Sequence, residues 1–439
     1  MADGLVFPLD LLIRLVGIGR MAQQQGLVGS NIGKVKLHNM RAVLSMLRHH
    51  GYASRAHLAE LTGLSTKTIS NLVSELLDQG IVTEDGVIKS APRQGVGRPR
   101  TPLRLVPEAR YAIGIHIGVG SIRVAVADLL ARLLTCGSLE HPLEKPPEEV
   151  LSDTAILVNE AVASCGVDRQ RVVGVGVGAS GLVNPRTGVN VMAPNLGWRD
   201  VPIRDWLAGQ LALPVCVDNN TRAMALGEAL FGAGKEVHAL AFVYARTGVG
   251  AGYVVGGQLY RGSAAGAGEI GHTTIIPSGG EPCRCGNSGC LETLVSEPAI
   301  VRLAKALADQ DSQGPLATHL RNGKGITLER IFAAARAGDS ATQAMLEERA
   351  CYMGIALANL VNVLNPDLIV LGGIYAQGED LLLPIIERVM RQRAFANLGA
   401  QVQVKTSGFG PQAGVVGSAA LALNTFFYQP PEQAPEAMA

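Results

Sequence analysis

From Tyr111 onward, short Val/Ile/Gly runs alternate with stretches of helical period, and this alternation limits the possible fold more than any other feature of the chain. Runs at 112–118, 122–128, 172–178, 240–255 and 368–373 are interleaved with helical patterns at 148–165, 222–232, 297–308 and 343–364. Near-continuous apolar runs of this kind read as strands covered on both faces, and the helices between them read as the cover. The class is therefore α/β. The 53 glycines cluster beside the Val/Ile runs, where tight strand-to-loop turns need a residue without a side chain. A pure helical bundle is excluded. The α/β part is long enough for two lobes, expected at 105–235 and at 236–428, the latter ending in a C-terminal helix. The Pro- and Gln-containing tail, 429–439, is expected to be disordered.

The front of the chain has a different texture. Residues 1–33 are irregular, and 34–104 hold 11 basic against 5 acidic side chains, whereas 105–439 hold 25 against 30. A basic head on an acidic body points to a polyanionic partner. Within 54–77, Ser54 is placed to cap a helix ending near Thr62, Gly63 supplies a turn, and Ser65 caps a second helix. That is helix-turn-helix spacing. Ile69, Leu72, Val73 and Leu76 share one face of the second helix. The opposite side carries Ser65, Thr66, Lys67, Thr68, Ser70, Asn71 and Ser74, hydrogen-bonding groups free of negative charge, as a major-groove helix requires. The runs on either side of Asp85-Gly86 predict a hairpin wing, with wing tip and linker over 91–102. Within that stretch Arg98 belongs either in a minor groove or in an exposed linker.

Seven cysteines are present. Cys136, Cys165, Cys216 and Cys351 are scattered in apolar surroundings and form no disulfide framework. The other three crowd together as Cys283, Cys285 and Cys290, downstream of His272. One histidine and three thiolates suit tetrahedral zinc, and four protein ligands make the metal structural. Gly286 and Gly289 let the loop fold tightly enough for the sulfurs to converge. The apolar start at 11–18 is interrupted by Arg14 and lacks signal-peptide flanks. No run reaches about 18 uninterrupted apolar residues. The sequence thus predicts a cytoplasmic protein without a membrane span.

Gly268-Glu269-Ile270-Gly271-His272, the cysteine loop and Leu291-Glu292 together resemble the signature of the ROK family (repressors, open reading frames and sugar kinases). Residues 37–41 and the helix-turn-helix resemble its repressor branch. The resemblance implies a winged helix-turn-helix followed by a two-lobed, actin-like domain of sugar-kinase type. It implies a monosaccharide or sugar-phosphate effector, with hydroxyl contacts from Asn195, Asn219, Glu269, His272 and Glu292 and a pocket shaped by Gly181. His272 is expected to give one ring nitrogen to zinc and the other to the sugar. The resemblance also implies operator DNA as partner and a homodimer or homotetramer.

Two stretches depart from the family's kinases. Those kinases carry Asn-Asp-x-Asn, whose aspartate takes the proton of the sugar hydroxyl. Here the stretch reads Asp218-Asn219-Asn220-Thr221-Arg222, with Asn220 at the catalytic position. A carboxamide cannot accept that proton, although it still hydrogen-bonds a hydroxyl. Asp218 stands two positions away and need not face the pocket. Where the kinases have Asp-x-Gly-Gly-Thr, this chain has His116-Ile117-Gly118-Val119-Gly120. A second glycine-rich stretch, 247–252, and Gly372-Gly373 remain, but glycines alone are weak evidence for a nucleotide site. The sequence predicts a sugar-responsive repressor without catalytic residues. The alternatives are an ATP-dependent sugar kinase with an accessory DNA-binding domain, and a sugar-binding scaffold that does not regulate transcription.

Overall fold

A computed structural model describes residues 32–84, 101–311, 314–321 and 325–429. The irregular N-terminal segment up to residue 31, the expected wing and linker over 85–100 with Arg98, and the tail from 430 lie outside the described residues.

The head is built from α1 (Ile32–His50), α2 (Arg55–Thr62) and α3 (Thr66–Asp78). Ser54 and Ser65 cap α2 and α3 by accepting from the N–H of His57 and Thr68. Gly63 makes the turn at φ 69°, a left-handed conformation that glycine adopts without steric penalty. Ile69, Leu72, Val73 and Leu76 pack with Val43, Leu44, Leu47 and Leu58. Strand β1 (Val82–Glu84) pairs antiparallel with β2 (Leu103–Leu105). Among the described residues β1 therefore finds its partner beyond the wing, in a strand whose Leu103 and Leu105 point into the head's core.

The first lobe carries a five-stranded sheet in the order β10-β6-β3-β4-β5. Its strands are β3 (Tyr111–Gly118), β4 (Ser121–Asp128), β5 (Leu133–Glu140), β6 (Val172–Ala179) and β10 (Val215–Asn219). Helix α4 (Pro147–Cys165) covers one face, joined by α5 (Ile203–Leu211). A three-stranded flap, β7 (Leu182–Asn184), β8 (Val189–Ala193) and β9 (Trp198–Val201), leads from β6 back to the sheet. Helix α6 (Asn220–Phe231) leaves β10 and runs between the lobes. The second lobe is a sheet in the order β13-β12-β11-β14-β15, with β11 (Ala239–Ala245), β12 (Val249–Val255), β13 (Gln258–Tyr260), β14 (Leu368–Gly373) and β15 (Gln403–Thr406). It is packed with α7 (Leu291–Val295), α8 (Glu297–Gln310), α9 (Pro315–Arg321), α10 (Leu328–Arg336), α11 (Ser340–Leu364), α12 (Ile374–Gln377), α13 (Glu379–Arg393) and α14 (Leu398–Gln401). Among the described residues no helix is long and apolar enough to cross a membrane.

The C-terminal helix α15 (Ala413–Leu423) departs from the expected division. It belongs to the first lobe, lying on β3 and β6 and alongside α6. The glycines of the strands explain how. A Cβ on Gly114 would stand 2.2 Å from the carbonyl oxygen of Val415, and one on Gly176 1.9 Å from that of Ser418. These glycines do not serve strand-to-loop turns, as the sequence reading had it. They clear a mid-strand groove into which the helix backbone drops. After α15 the chain makes one π-helical turn, Asn424–Tyr428, and ends against the head. Phe427, Tyr428, Leu423, Ala112 and Leu129 share one apolar cluster with Val43, Leu47 and Leu76, so the head and the first lobe have a common core.

Candidate functional site

Four side chains define the metal-ligating constellation. His272, Cys283, Cys285 and Cys290 place their ligand atoms all within 4.8 Å of one another. His272 Nδ1 stands 3.6 Å from Cys283 Sγ, and Cys285 Sγ stands 3.8 Å from Cys290 Sγ. The edges of a zinc tetrahedron with Zn–S near 2.3 Å are about 3.8 Å, and mixed N–S edges are slightly shorter. Positive φ at Gly286 and Gly289 closes the loop, and a Cβ on Gly289 would stand 1.9 Å from the Ile276 carbonyl oxygen. The thiolate-rich donor set and its spacing fit a structural Zn²⁺.

The positions expected to contact sugar gather around the junction of the lobes. Glu292, on the first turn of α7, accepts from the Val249 N–H at 2.9 Å. Gly248 lies against both Glu292 and Asn195: a Cβ there would stand 2.9 Å from Glu292 Oε2 and 3.6 Å from Asn195 Nδ2. Asn195 sits in the loop between β8 and β9. Its Oδ1 accepts from Arg284 at 2.8 Å. Arg284 lies between two of the cysteines, and the sequence reading missed it. Its charge inside the cysteine loop was visible, but its reach to the other lobe was not. Glu269 is exposed on the rim, close enough to His272, Glu292 and Arg222 to feel their charges. Gly181, at φ 103°, has no room for a side chain, because a Cβ would meet Ala193 at 2.5 Å.

The start of α6 shows how the altered motif is used. Asn219 caps the helix: Oδ1 accepts from the N–H of Thr221 (2.9 Å) and Arg222 (3.2 Å), and Nδ2 donates to the Gly181 carbonyl (2.9 Å). Its role here is structural at both ends, with one amide hydrogen left over. Asn220 donates to Ser180 Oγ at 3.2 Å and accepts from the Thr221 N–H at 2.9 Å. Asp218 is fully buried and held by two guanidinium groups, Arg222 Nε at 2.6 Å and Arg261 Nε at 2.8 Å. Arg222 also donates to Ala265 O (2.6 Å) and Val183 O (3.2 Å). Asp218 is thus locked in an ion network that ties the lobes together.

The phosphate side is closed in a different way. Val119-Gly120 form the two-residue turn joining β3 to β4. His116 Nε2 is sealed from solvent and finds no hydrogen-bond partner among the described residues. Burial, helped by Arg123 and Arg246, pushes its pKa down to about 4, so the ring is neutral at pH 7. Gly414, at the start of α15, lies against this ring; a Cβ there would stand 2.6 Å from its Cγ. The second glycine-rich stretch is mostly strand β12. Gly250 and Gly252 face α6, where a Cβ on Gly252 would stand 2.7 Å from the Ala225 Cβ. The missing side chains admit the helix.

On the head, Thr66, Lys67, Ser70, Asn71 and Ser74 are exposed along one side of α3. Ser65 is exposed as well, but it caps the helix and pairs with the half-buried Thr68 at 2.8 Å. Those two hydroxyls are spent on the helix start. Glu75, the acidic group on this helix nearest the polar side, is paired with Lys36 at 2.7 Å.

With this geometry in place, comparison with known proteins gives the family. The ROK family matches residues 112–425, and a winged helix-turn-helix DNA-binding family matches residues 37–83. The chain belongs to the ROK family and carries a winged helix-turn-helix ahead of its ROK domain. It is 32% identical over 397 residues to a putative xylose repressor of Caldicellulosiruptor sp. (strain Rt8B.4), covering 90% of this chain and 97% of that one. It superposes with TM-score 0.76 and 29% identity on a ROK-family transcriptional regulator described as a homologue of the Escherichia coli Mlc protein, over 89% of this chain and 96% of that one. A ROK glucokinase from Streptomyces griseus in complex with glucose and AMPPNP matches with TM-score 0.64 and 32% identity, over 71% of this chain and 98% of its own.

Proposed function

We propose that the protein is a DNA-binding transcriptional repressor of carbohydrate genes whose cleft binds a monosaccharide or sugar phosphate without phosphorylating it. The observation that carries this reading is the pairing of an intact head with a disarmed cleft. Asn220 stands where a general base is needed, and Asp218, the nearest carboxylate in the motif, is held by Arg222 and Arg261. Loss of a general base alone lowers a rate about 10²–10⁴-fold.

In this reading Asn195, Asn219, Asn220, Glu269, His272 and Glu292 present hydrogen-bonding groups to the sugar. His272, Cys283, Cys285 and Cys290 hold a structural zinc. With zinc on Nδ1, His272 keeps Nε2 for the ligand. Thr66, Lys67, Ser70, Asn71 and Ser74 meet bases or phosphates in the major groove. Arg98, outside the described residues, reaches a minor groove in this reading. Ser65 and Thr68 position the helix and do not read DNA. The protein works in the cytoplasm as a homodimer or homotetramer, whose paired heads require a roughly palindromic operator.

The test combines two measurements on purified full-length protein. Gel shift on DNA selected from a random pool should change when D-xylose, D-glucose or N-acetyl-D-glucosamine is added. Incubation of the same sugars with ATP should release no ADP above background. Robust ADP release would replace the regulator with a kinase.

A further inference from the structure

A sugar bound between the lobes can regulate DNA binding only if its presence alters the contacts of the head. One helix spans the distance between the two places. Helix α6 begins at Asn220, in the cleft, and ends at Phe231, beneath the head. Its 12 residues span about 17 Å. Residues 221–228 and 230 are buried, so the helix is gripped along its length and moves as a unit.

The far end of α6 is held by one residue of the head. Arg48, near the end of α1, donates to the Leu230 carbonyl at 2.7 Å. Its guanidinium also lies 5.5 Å from the ring centroid of Phe231 and 5.3 Å from that of Tyr428. A cation on the last carbonyls of a helix is favoured by the helix dipole, and its contact with aromatic faces adds to the attachment. Arg41 and Ser45 lie on the same side of α1 as Arg48. They hold the C-terminal turn: Arg41 donates to Phe426 O at 3.0 Å, and Ser45 donates to Tyr428 O at 3.1 Å. That turn ends α15, which travels with α6. Gly417 lies against Ala223 and Gly227, and Leu421 against Leu226 and Leu230. The junction borders an open surface pocket lined by Arg48, His49, Phe231 and Lys235.

We propose that α6 is the rod that transmits sugar occupancy to the DNA-binding head, and that Arg48 is the coupling residue at its end. The proposal rests on the sugar-responsive reading above. A ligand that engages the amides of Asn219 and Asn220 competes with the hydrogen bonds that fix the start of α6. A shift of the helix carries the Leu230 carbonyl and the Phe231 ring away from or toward Arg48, and so repositions α1.

The test uses full-length protein, a DNA duplex selected from a random pool, and D-xylose, D-glucose and N-acetyl-D-glucosamine as probes. In the wild type, the most effective sugar should change duplex affinity about 5-fold or more, and the duplex should change sugar affinity by the same factor. Arg48→Met should keep the sugar-induced melting shift and should still bind the duplex, but the change in duplex affinity should fall below about twofold. Phe231→Leu keeps an apolar side chain and removes the ring contact. It should weaken the response, and it serves as the readout if Arg48→Met does not fold. Variants that bind both ligands and respond as strongly as the wild type would overturn the coupling alone. A wild type that binds the duplex and ignores every sugar it binds would overturn the regulatory reading, and the coupling with it.

Discussion

The two walls of the cleft share one fold and hold opposite chemistry. On the wall proposed to face the sugar, Asn195, Glu292 and the His272 loop converge from both lobes, and Arg284 of the cysteine loop braces Asn195. On the wall that corresponds to the kinases' phosphate loop and base, His116 and Asn220 stand where the family's kinases carry carboxylates. His116 is a neutral, sealed ring against Gly414, and Asn220 points its amide oxygen at its own helix. Recognition needs fixed donors and acceptors, whereas transfer also needs a base and room for anionic oxygens. A fold can lose the second set while its packing preserves the first. In the proposed reading, the difference means that sugar binding and phosphoryl transfer are separable within one architecture.

The comparison can be broken at four places. Removing a metal ligand should have the largest effect, because apparent binding energies of structural zinc reach about 10 kcal/mol or more. Cys285→Ser should lose its zinc by elemental analysis and its sugar-induced melting shift, while the head still binds DNA. Full metal content with an unchanged shift would remove Cys285 from the site.

Arg222→Met comes next. It leaves the fully buried Asp218 with Arg261 as its sole remaining guanidinium among the contacts described. Breaking a buried pair from one side costs about 3–5 kcal/mol, measurable by urea unfolding. A loss below about 1 kcal/mol would mean that the lobes are not tied together through this pair.

Glu292→Gln preserves shape and removes charge. Hydrogen bonds to charged groups are worth about 1.5–3 kcal/mol, so sugar affinity by calorimetry should fall about 10- to 100-fold. Equal affinity would place the sugar elsewhere. The smallest expected effect is that of Asn220→Asp, which restores the carboxylate alone. With His116 and Val119 still in place, ADP release should stay at background. Turnover in this variant would show that the phosphate wall was intact all along.

Much of this was legible in the sequence, because short-range rules govern it. The caps at Ser54 and Ser65, the apolar face of α3 and the cysteine loop each lie within a few turns of chain. The substitution at Asn220 was equally plain. Less legible was the use made of each residue. Asp218 and Arg222 are four positions apart, yet one closes a strand and the other opens a helix, so helix spacing did not announce their pairing. Asn219 read as a sugar contact, and its oxygen caps α6. Gly250 and Gly252 read as part of a glycine-rich stretch, and in the strand they form they make room for that helix.

By itself, then, the sequence determined the local elements, the candidate metal-ligand set and the basic head, since each depends on side-chain chemistry or on neighbours along the chain; the missing carboxylate was legible through the family resemblance. The tertiary structure alone decided that α15 returns to the first lobe, that Arg284 crosses to Asn195, and that α6 runs from the cleft to Arg48. Those pairings join residues up to hundreds of positions apart. They are selected by which backbone surfaces can approach closely, a property of the packed sheet and its glycines that local periodicity does not encode.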